Sequence, residues 1–336
     1  MLDRMTNWRT QDAQGGLHYL STLHFSGEWL DRLRLAAPSV QVDQQSASAV
    51  SDIDLATWAQ VEVLHTSSVI PDSSLAPRLR WVQLDTAGID HLVGHPIWET
   101  DVVVTTIAGV SPVPMAEYVI MMVLALSHRL PTLLAGQARH DWPSPRERWL
   151  QFLPRAISGT TMGILGYGRI GREIGRVART LGVKVIGVTR TEPLGGSSDV
   201  VSSAHLLDVA SSCDWLVVVT PLTSETRGLV GAEVLAALPD GAVLINVSRG
   251  GVVDEEALLD ALERGTLAGA VLDVFDEEPL GPDSPLWSHP RVIVTPHVSG
   301  FAPRYEESVL DLVGQNLNRF LEGRALLNLV DRTRGY

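Results

Sequence analysis

The 336-residue chain predicts an α/β fold built on a doubly wound parallel sheet, together with a second α/β domain. Three observations predict it. Short apolar, strand-like runs alternate with helix-like runs along nearly the whole chain, the pattern of parallel strands joined by helices. The length exceeds one compact core and fits two domains. A glycine-rich segment, Gly166-Tyr167-Gly168-Arg169-Ile170-Gly171, stands between a strand-like run and a helix-like run.

The elements follow in order. Leu17–Leu23 reads as a strand, and Gly27–Leu35 as a helix with Trp29, Leu30, Leu33 and Leu35 on its inner side. Val61–Leu64, Leu79–Leu84 and Val102–Thr106 read as strands. Met115–Leu134 reads as one long apolar helix, ended near Pro131, and Arg139–Pro154 as a polar loop. The pattern then becomes more regular. Strands are predicted over Thr161–Leu165, Lys184–Val188, Trp215–Val219, Ala242–Asn246, Ala270–Val274 and Val292–Thr295. Helices are predicted over Ile170–Leu181 and Glu255–Arg264, with a last one over Arg304–Phe320. This divides the chain into a domain at 110–299 and a discontinuous domain made of 1–109 with 300–336. A cleft between the two is the expected place for a small ligand.

Composition narrows the function classes. Hydrophobic residues make up 45% and charged residues 19%, which suits a well-buried core. The net charge of -13 repels phosphate backbones and argues against nucleic acid as a partner. The single cysteine, Cys213, forms no intrachain disulfide, as suits a reducing cytosol. The first thirty residues lack a basic start followed by an apolar run, so no signal peptide is expected. The longest apolar stretch, Met115 to Leu126, is interrupted by Glu117 and is too short for a bilayer. A cytoplasmic protein without a membrane partner is therefore expected. The ten histidines form no ligand spacing with acids or cysteine, so no metal is expected.

The glycine segment matches G-x-G-x-x-G after a strand and before a helix, the Rossmann context for a dinucleotide. Gly166 allows the tight turn, Gly168 a close approach of backbone to pyrophosphate, and Gly171 close packing of helix on strand. Amides at the helix start would bind the phosphates. The second strand leads into Thr189-Arg190-Thr191, where an NAD-preferring fold carries an acid for the ribose hydroxyl. An arginine attracts a 2′-phosphate instead. The loop thus favours NADP and leaves NAD open, with Arg190 then lying over the adenine ring.

Three further segments follow apolar strands, at the sheet edge where ligands bind. They are Asn246-Val247-Ser248-Arg249-Gly250-Gly251, Asp273-Val274-Phe275-Asp276-Glu277-Glu278-Pro279 and Thr295-Pro296-His297-Val298-Ser299-Gly300. With Thr220-Pro221-Leu222-Thr223, Glu225-Thr226-Arg227-Gly228 and Ser284-Pro285-Leu286-Trp287, they make the chain resemble the D-isomer-specific 2-hydroxy acid dehydrogenase family. The glyoxylate/hydroxypyruvate reductases and phosphoglycerate dehydrogenases belong to it. The resemblance runs from about Trp81 to about Gly300.

The resemblance implies a flavodoxin-like substrate domain, a homodimer, and hydride transfer between NAD(P)H and a small 2-oxo or 2-hydroxy acid. It implies that Arg249 holds the substrate carboxylate and carbonyl, that His297 is the acid/base, and that Glu278 orients that histidine and favours its charged form. Asp276 and Glu277 compete with Glu278 as neighbours, and the match to Glu-Pro favours Glu278. The loop Ala87-Gly88-Ile89 would hold the substrate carboxylate through backbone N–H groups. Asp273 would accept from the nicotinamide amide, and Thr220 and Pro221 would border the adenosine. Thr226, Val247, Ser248 and Gly300 join the implied cofactor contacts, as do Arg249 and His297.

One stretch departs from the family. Ser111-Pro112-Val113-Pro114 is proline-rich where a small polar run is usual, so no cofactor contact is assigned there. Trp142 is either a loop anchor or a residue that reaches a neighbouring subunit. Two other functions share these motifs: a phosphite dehydrogenase-like enzyme, and a corepressor-like protein that senses the dinucleotide without turnover.

Overall fold

The computed structural model describes residues 16–192 and 199–335. The first fifteen residues of the expected substrate domain lie outside this range. In chain order the elements are β1 Leu17–Ser21, α1 Gly27–Ala36, β2 Val40–Gln44, α2 Leu55–Trp58, β3 Val63–Thr66, β4 Trp81–Leu84, β5 Val103–Thr105, α3 Pro112–Ser127, α4 Leu130–Ala138 and α5 Pro145–Phe152. They continue with β6 Thr161–Leu165, α6 Arg169–Thr180, β7 Lys184–Thr189, β8 Val200–Ser202, α7 Leu206–Ser211, β9 Trp215–Val218, α8 Ala232–Ala237, β10 Ala242–Asn246, α9 Glu255–Arg264, β11 Leu267–Leu272, β12 Val292–Val294 and α10 Tyr305–Leu321.

The chain divides into two compact units. One is Met1–Val110 with Pro303–Tyr336, and the other is Ser111–Ala302. The first holds a five-stranded parallel sheet in the order β2-β1-β3-β4-β5, the flavodoxin-like arrangement. Buried apolar clusters cover both its faces. Leu64, Val82 and Leu84 lie on one side, and Tyr19, Val63 and Trp81 on the other. The Trp81 indole N–H donates to Thr105 Oγ1 at 2.8 Å, which satisfies a buried polar atom. The C-terminal segment returns beside β5, where Val330 N donates to Val104 O at 2.9 Å.

The second unit holds a seven-stranded parallel sheet in the order β12-β11-β10-β9-β6-β7-β8. The order reverses between β6 and β9, which makes that gap the topological switch point of a Rossmann sheet. α6 packs on α3. Gly171, Ile174, Gly175 and Ala178 make the buried stripe of α6, and Ala116, Val119 and Val123 belong to the buried face of α3.

Several elements differ from the sequence expectation. The long helix is broken at His128–Arg129, where Arg129 adopts φ 54°, and a new helix begins at Leu130. Pro131 lies in its first turn, where a proline needs no N–H, so it starts a helix instead of ending one. The expected loop at 139–154 contains α5. Ser144 Oγ accepts from Glu147 N at 3.4 Å and Glu147 Oε2 accepts from Ser144 N at 2.8 Å, a capping box that starts a helix in polar sequence. β2 Val40–Gln44 and β8 Val200–Ser202 are further strands, and α2, α7 and α8, of four to six residues, are too short for a helical periodicity to show. On α1, Leu33 is buried but Leu35 is 81% exposed, because two residues along a helix turn about 200°. Among the described residues no single helix is long and apolar enough to cross a membrane. The bent pair α3 and α4 passes that test only together, across a 66° bend.

Candidate active site

The glycine turn sits at the switch point. Gly166 has φ 99°, and a Cβ there would stand 2.6 Å from the Val219 carbonyl oxygen on the neighbouring strand. A Cβ at Gly171 would stand 2.5 Å from the Gly166 carbonyl oxygen, so α6 starts hard against the turn. Gly168 is exposed, and a Cβ there would meet no protein atom within 4 Å. The internal bonding of α6 begins at Arg172 N, which donates to Gly168 O at 3.0 Å. The amides of Arg169, Ile170 and Gly171 therefore precede the helix's own ladder. An exposed glycine before a helix N-terminus fits the pyrophosphate of a dinucleotide. Tyr167 packs inward. Its ring is buried against Gly187, its hydroxyl accepts from Arg179 Nη1 at 2.9 Å, and its N–H donates to Val188 O at 3.0 Å. The Tyr167 side chain and amide are thus both bonded within the protein.

At the end of β7, Thr189 Oγ1 donates to Thr191 O at 2.9 Å, so its proton is used inside the loop. The Arg190 guanidinium lies 3.6 Å from the Glu225 carboxylate, with both side chains exposed. Thr220 and Pro221 follow β9. Thr226 Oγ1 donates to Pro221 O at 2.7 Å and accepts from Thr223 N at 2.8 Å, which closes the loop that carries Glu225.

At the other end of the sheet, His297 Nδ1 lies 2.7 Å from Glu278 Oε2. Glu278 Oε1 accepts from Phe275 N at 3.0 Å, so the carboxylate is held at both oxygens. Of the acids in this run, Glu278 is the one bonded to the imidazole, while the Asp276 backbone N–H donates to Glu255 Oε1 at 2.7 Å. Burial pushes the Glu255 carboxyl above its usual range. The His297 backbone is left-handed at φ 52°, an uncommon conformation for a residue with a Cβ. Arg249 lies in the loop after β10, half-buried, with Nη1 donating to Ser248 O at 2.8 Å. Asn246 builds that loop: its Oδ1 accepts from Ser248 N and Oγ, and its Nδ2 donates to Arg249 O.

The model of the NAD binding domain of the D-isomer specific 2-hydroxyacid dehydrogenases matches residues 120–299, more than half of the chain. The chain belongs to this family. The glyoxylate reductase of Thermococcus litoralis is 32% identical to it over 262 residues, 76% of this chain and 78% of the relative. A family member from Xanthobacter autotrophicus, solved with NADPH and MES, is 32% identical with a TM-score of 0.81, covering 96% of this chain and all of that one. An NADPH-dependent glyoxylate/hydroxypyruvate reductase from Sinorhizobium meliloti, solved with NADP and sulfate, is 30% identical with a TM-score of 0.78, over 95% of this chain and 100% of that one.

As a 2-hydroxyacid dehydrogenase the chain is an enzyme, and the corepressor-like alternative falls away. Several expected contacts have other duties. Asp273 is fully buried. Its Oδ1 accepts from Thr295 Oγ1 at 2.5 Å and Val298 N at 2.9 Å, and its Oδ2 from Ser299 N at 2.8 Å. Through these bonds Asp273 ties down the His297 loop. Val247 packs in the core, and the Ser248 hydroxyl is bonded to Asn246. Gly300 lies near Ser111, at ordinary contact distance for an added Cβ. Pro112 and Pro114 form the first turn of α3, which explains the proline-rich departure as a helix start.

In the first unit, Ala87 is exposed, Gly88 half-buried and Ile89 a core residue, so Ile89 could serve a ligand only through its backbone. Thr86 Oγ1 donates to Gly88 O at 2.7 Å and shapes this loop. Trp142 is 83% exposed, with Arg148 over its ring at 5.7 Å. Sequence reasoning named Thr295 only as a motif residue and did not single out Tyr118 or Asn246. Tyr118 lay hidden in an apolar helix. Asn246, as a polar residue closing an apolar strand before Arg249, was the readable signal.

Proposed function

We propose that this dehydrogenase reduces a small 2-oxo acid of the glyoxylate or hydroxypyruvate kind to the D-2-hydroxy acid, with NADPH preferred over NADH. The His297–Glu278 pair carries the reading. Its Nδ1 is taken by Glu278, so the proton for the substrate oxygen leaves from Nε2. The carboxylate fixes the ring, and Nε2 gives the proton. Arg249 binds the substrate carboxylate and polarises the 2-oxo group as charge develops on its oxygen. The nicotinamide dinucleotide, when bound, supplies the hydride. Gly166, Gly168 and the first amides of α6 hold its pyrophosphate, and Thr189, Arg190 and Thr191 face its adenosine end. The absence of an acid at 189–191 and the NADP-bound relatives support the NADPH preference.

The same reading makes the enzyme a homodimer. Met121, Leu134, Trp149, Leu150 and Leu153, on and just beyond α3 to α5, are each at least half exposed, an apolar surface that self-association would cover. The buried lone Cys213 suits a reducing cytoplasm. The decisive experiment is oxidation of NADPH across a panel of 2-oxo acids, repeated with NADH. Turnover of glyoxylate or hydroxypyruvate is expected, and inactivity on every 2-oxo acid would defeat the reading.

A further inference from the structure

Tyr118 is a buried residue of α3, and its hydroxyl lies 2.5 Å from Thr295 Oγ1. Thr295 Oγ1 donates in turn to Asp273 Oδ1 at 2.5 Å. Asp273 gathers the turn that carries His297. It accepts from Val298 N and Ser299 N through its carboxylate, and its backbone carbonyl accepts from His297 N at 2.9 Å. The direction of the chain follows from its members. A carboxylate only accepts, so the single proton of Thr295 goes to Asp273, and Thr295 must accept from Tyr118. Burial, opposed by the Thr295 hydrogen bond and reinforced by the Asp273 charge, pushes the phenol up to about 12, so it stays a donor at neutral pH. The left-handed backbone at His297 gives the turn something to hold, because such a conformation persists only where its surroundings impose it.

We propose that Tyr118 is a positioning residue for His297, acting through Thr295 and Asp273 to fix the turn that aims the imidazole. This rests on the reading of His297 as proton donor. The ring of Tyr118 belongs to a buried apolar cluster, and only its hydroxyl joins the relay, so the two roles separate by substitution.

The experiment compares Tyr118→Phe, Thr295→Val, Thr295→Ser and His297→Ala in the full chain. Turnover is measured with NADPH and glyoxylate, and amide hydrogen exchange at Val298 and Ser299 is measured without ligand. Tyr118→Phe and Thr295→Val should each lower kcat about threefold to tenfold, the size of one net hydrogen bond, with KM changed less than about twofold. Exchange at Val298 and Ser299 should quicken in both. Thr295→Ser keeps the hydroxyl and should restore both readings. If Tyr118→Phe does not fold, the Thr295 pair decides alone. Wild-type kcat with unchanged exchange in Tyr118→Phe or Thr295→Val would overturn the proposal, and so would a loss that Thr295→Ser does not rescue. Near-wild-type turnover in His297→Ala would overturn the proton-donor reading and, with it, any catalytic consequence of the relay; unchanged exchange in Tyr118→Phe would overturn the relay itself.

Discussion

The backbone of Gly250 lies so close to that of Phe275 that a Cβ at position 250 would stand 1.9 Å from the Phe275 carbonyl carbon. This contact joins the loop of Arg249 to the loop of Glu278, backbone against backbone, with no flexible side chain to yield. Gly250→Ala must therefore push the two loops apart. Overpacking of this kind costs about 1–3 kcal/mol. A lower Tm and a fall in kcat/KM of about tenfold or more are expected, because small misplacements of reacting groups are costly. Gly281→Ala, where a Cβ would meet nothing within 4 Å, is the control and should leave both unchanged.

His297→Ala and Arg249→Ala should each reduce turnover by about a hundredfold or more, since a positioned acid contributes roughly 10²–10⁴. Glu278→Gln should lose less, because the amide can still hold the ring. Steady-state kinetics on folded protein checks this, and a His297→Ala enzyme at near-wild-type rate would remove the histidine from the chemistry.

On the proposed mechanism, reduction consumes a proton held on His297, and oxidation needs the same imidazole neutral. The reductase rate should fall as the solution becomes alkaline while the oxidative rate climbs. Parallel pH profiles in the two directions, under conditions where chemistry limits, would show that another group moves the proton.

NADPH should exceed NADH in kcat/KM by at least about tenfold, the value of one charge-assisted hydrogen bond. Thr189→Asp with Arg190→Ala should shift the preference toward NADH. The structure adds a finer expectation: Glu225 lies 3.6 Å from Arg190 and competes for it, so Glu225→Gln should strengthen the preference for NADPH. A Glu225→Gln enzyme with an unaltered cofactor ratio would place Arg190 away from the phosphate.

Cys213 is fully buried, and burial pushes its thiol up to about 12. Thiolate, the reactive form, is therefore scarce at pH 8 as well as shielded. Native protein should resist alkylation at that pH and be labelled once denaturant exposes the residue. Rapid labelling of the native enzyme would mean that the core around Gly163 and Val209 opens easily.

The long apolar strands and the Gly166 to Gly171 turn were legible, because their chemistry is local. Strand alternation and glycine spacing act over a few residues. The break at Arg129 was not legible. Both flanking stretches are helix formers, and Pro131 reads as a stop or a start depending on where the helix begins. At the site, Arg249, Glu278 and His297 stood out because the loops that follow apolar strands carry them in the order of the family's motifs. What holds Asp273 was not legible. Its neighbours Val298 and Ser299 lie 25 and 26 residues further on, and only the folded chain shows that their amides enclose it. Tyr118 was missed for the same reason, with Thr295 lying 177 residues away.

The strand order puts the Arg190 loop after β7 and the His297 loop after β12, with β6, β9, β10 and β11 between them. Five strand spacings amount to about 24 Å, well past the roughly 8 Å over which salt lets exposed charges feel each other. Nucleotide choice and proton delivery are thus insulated by the width of the sheet. Mutational drift or deliberate redesign can rewrite charge at 189–191 without its field reaching His297. The enzyme can change which pool of reductant it draws on without relearning its chemistry.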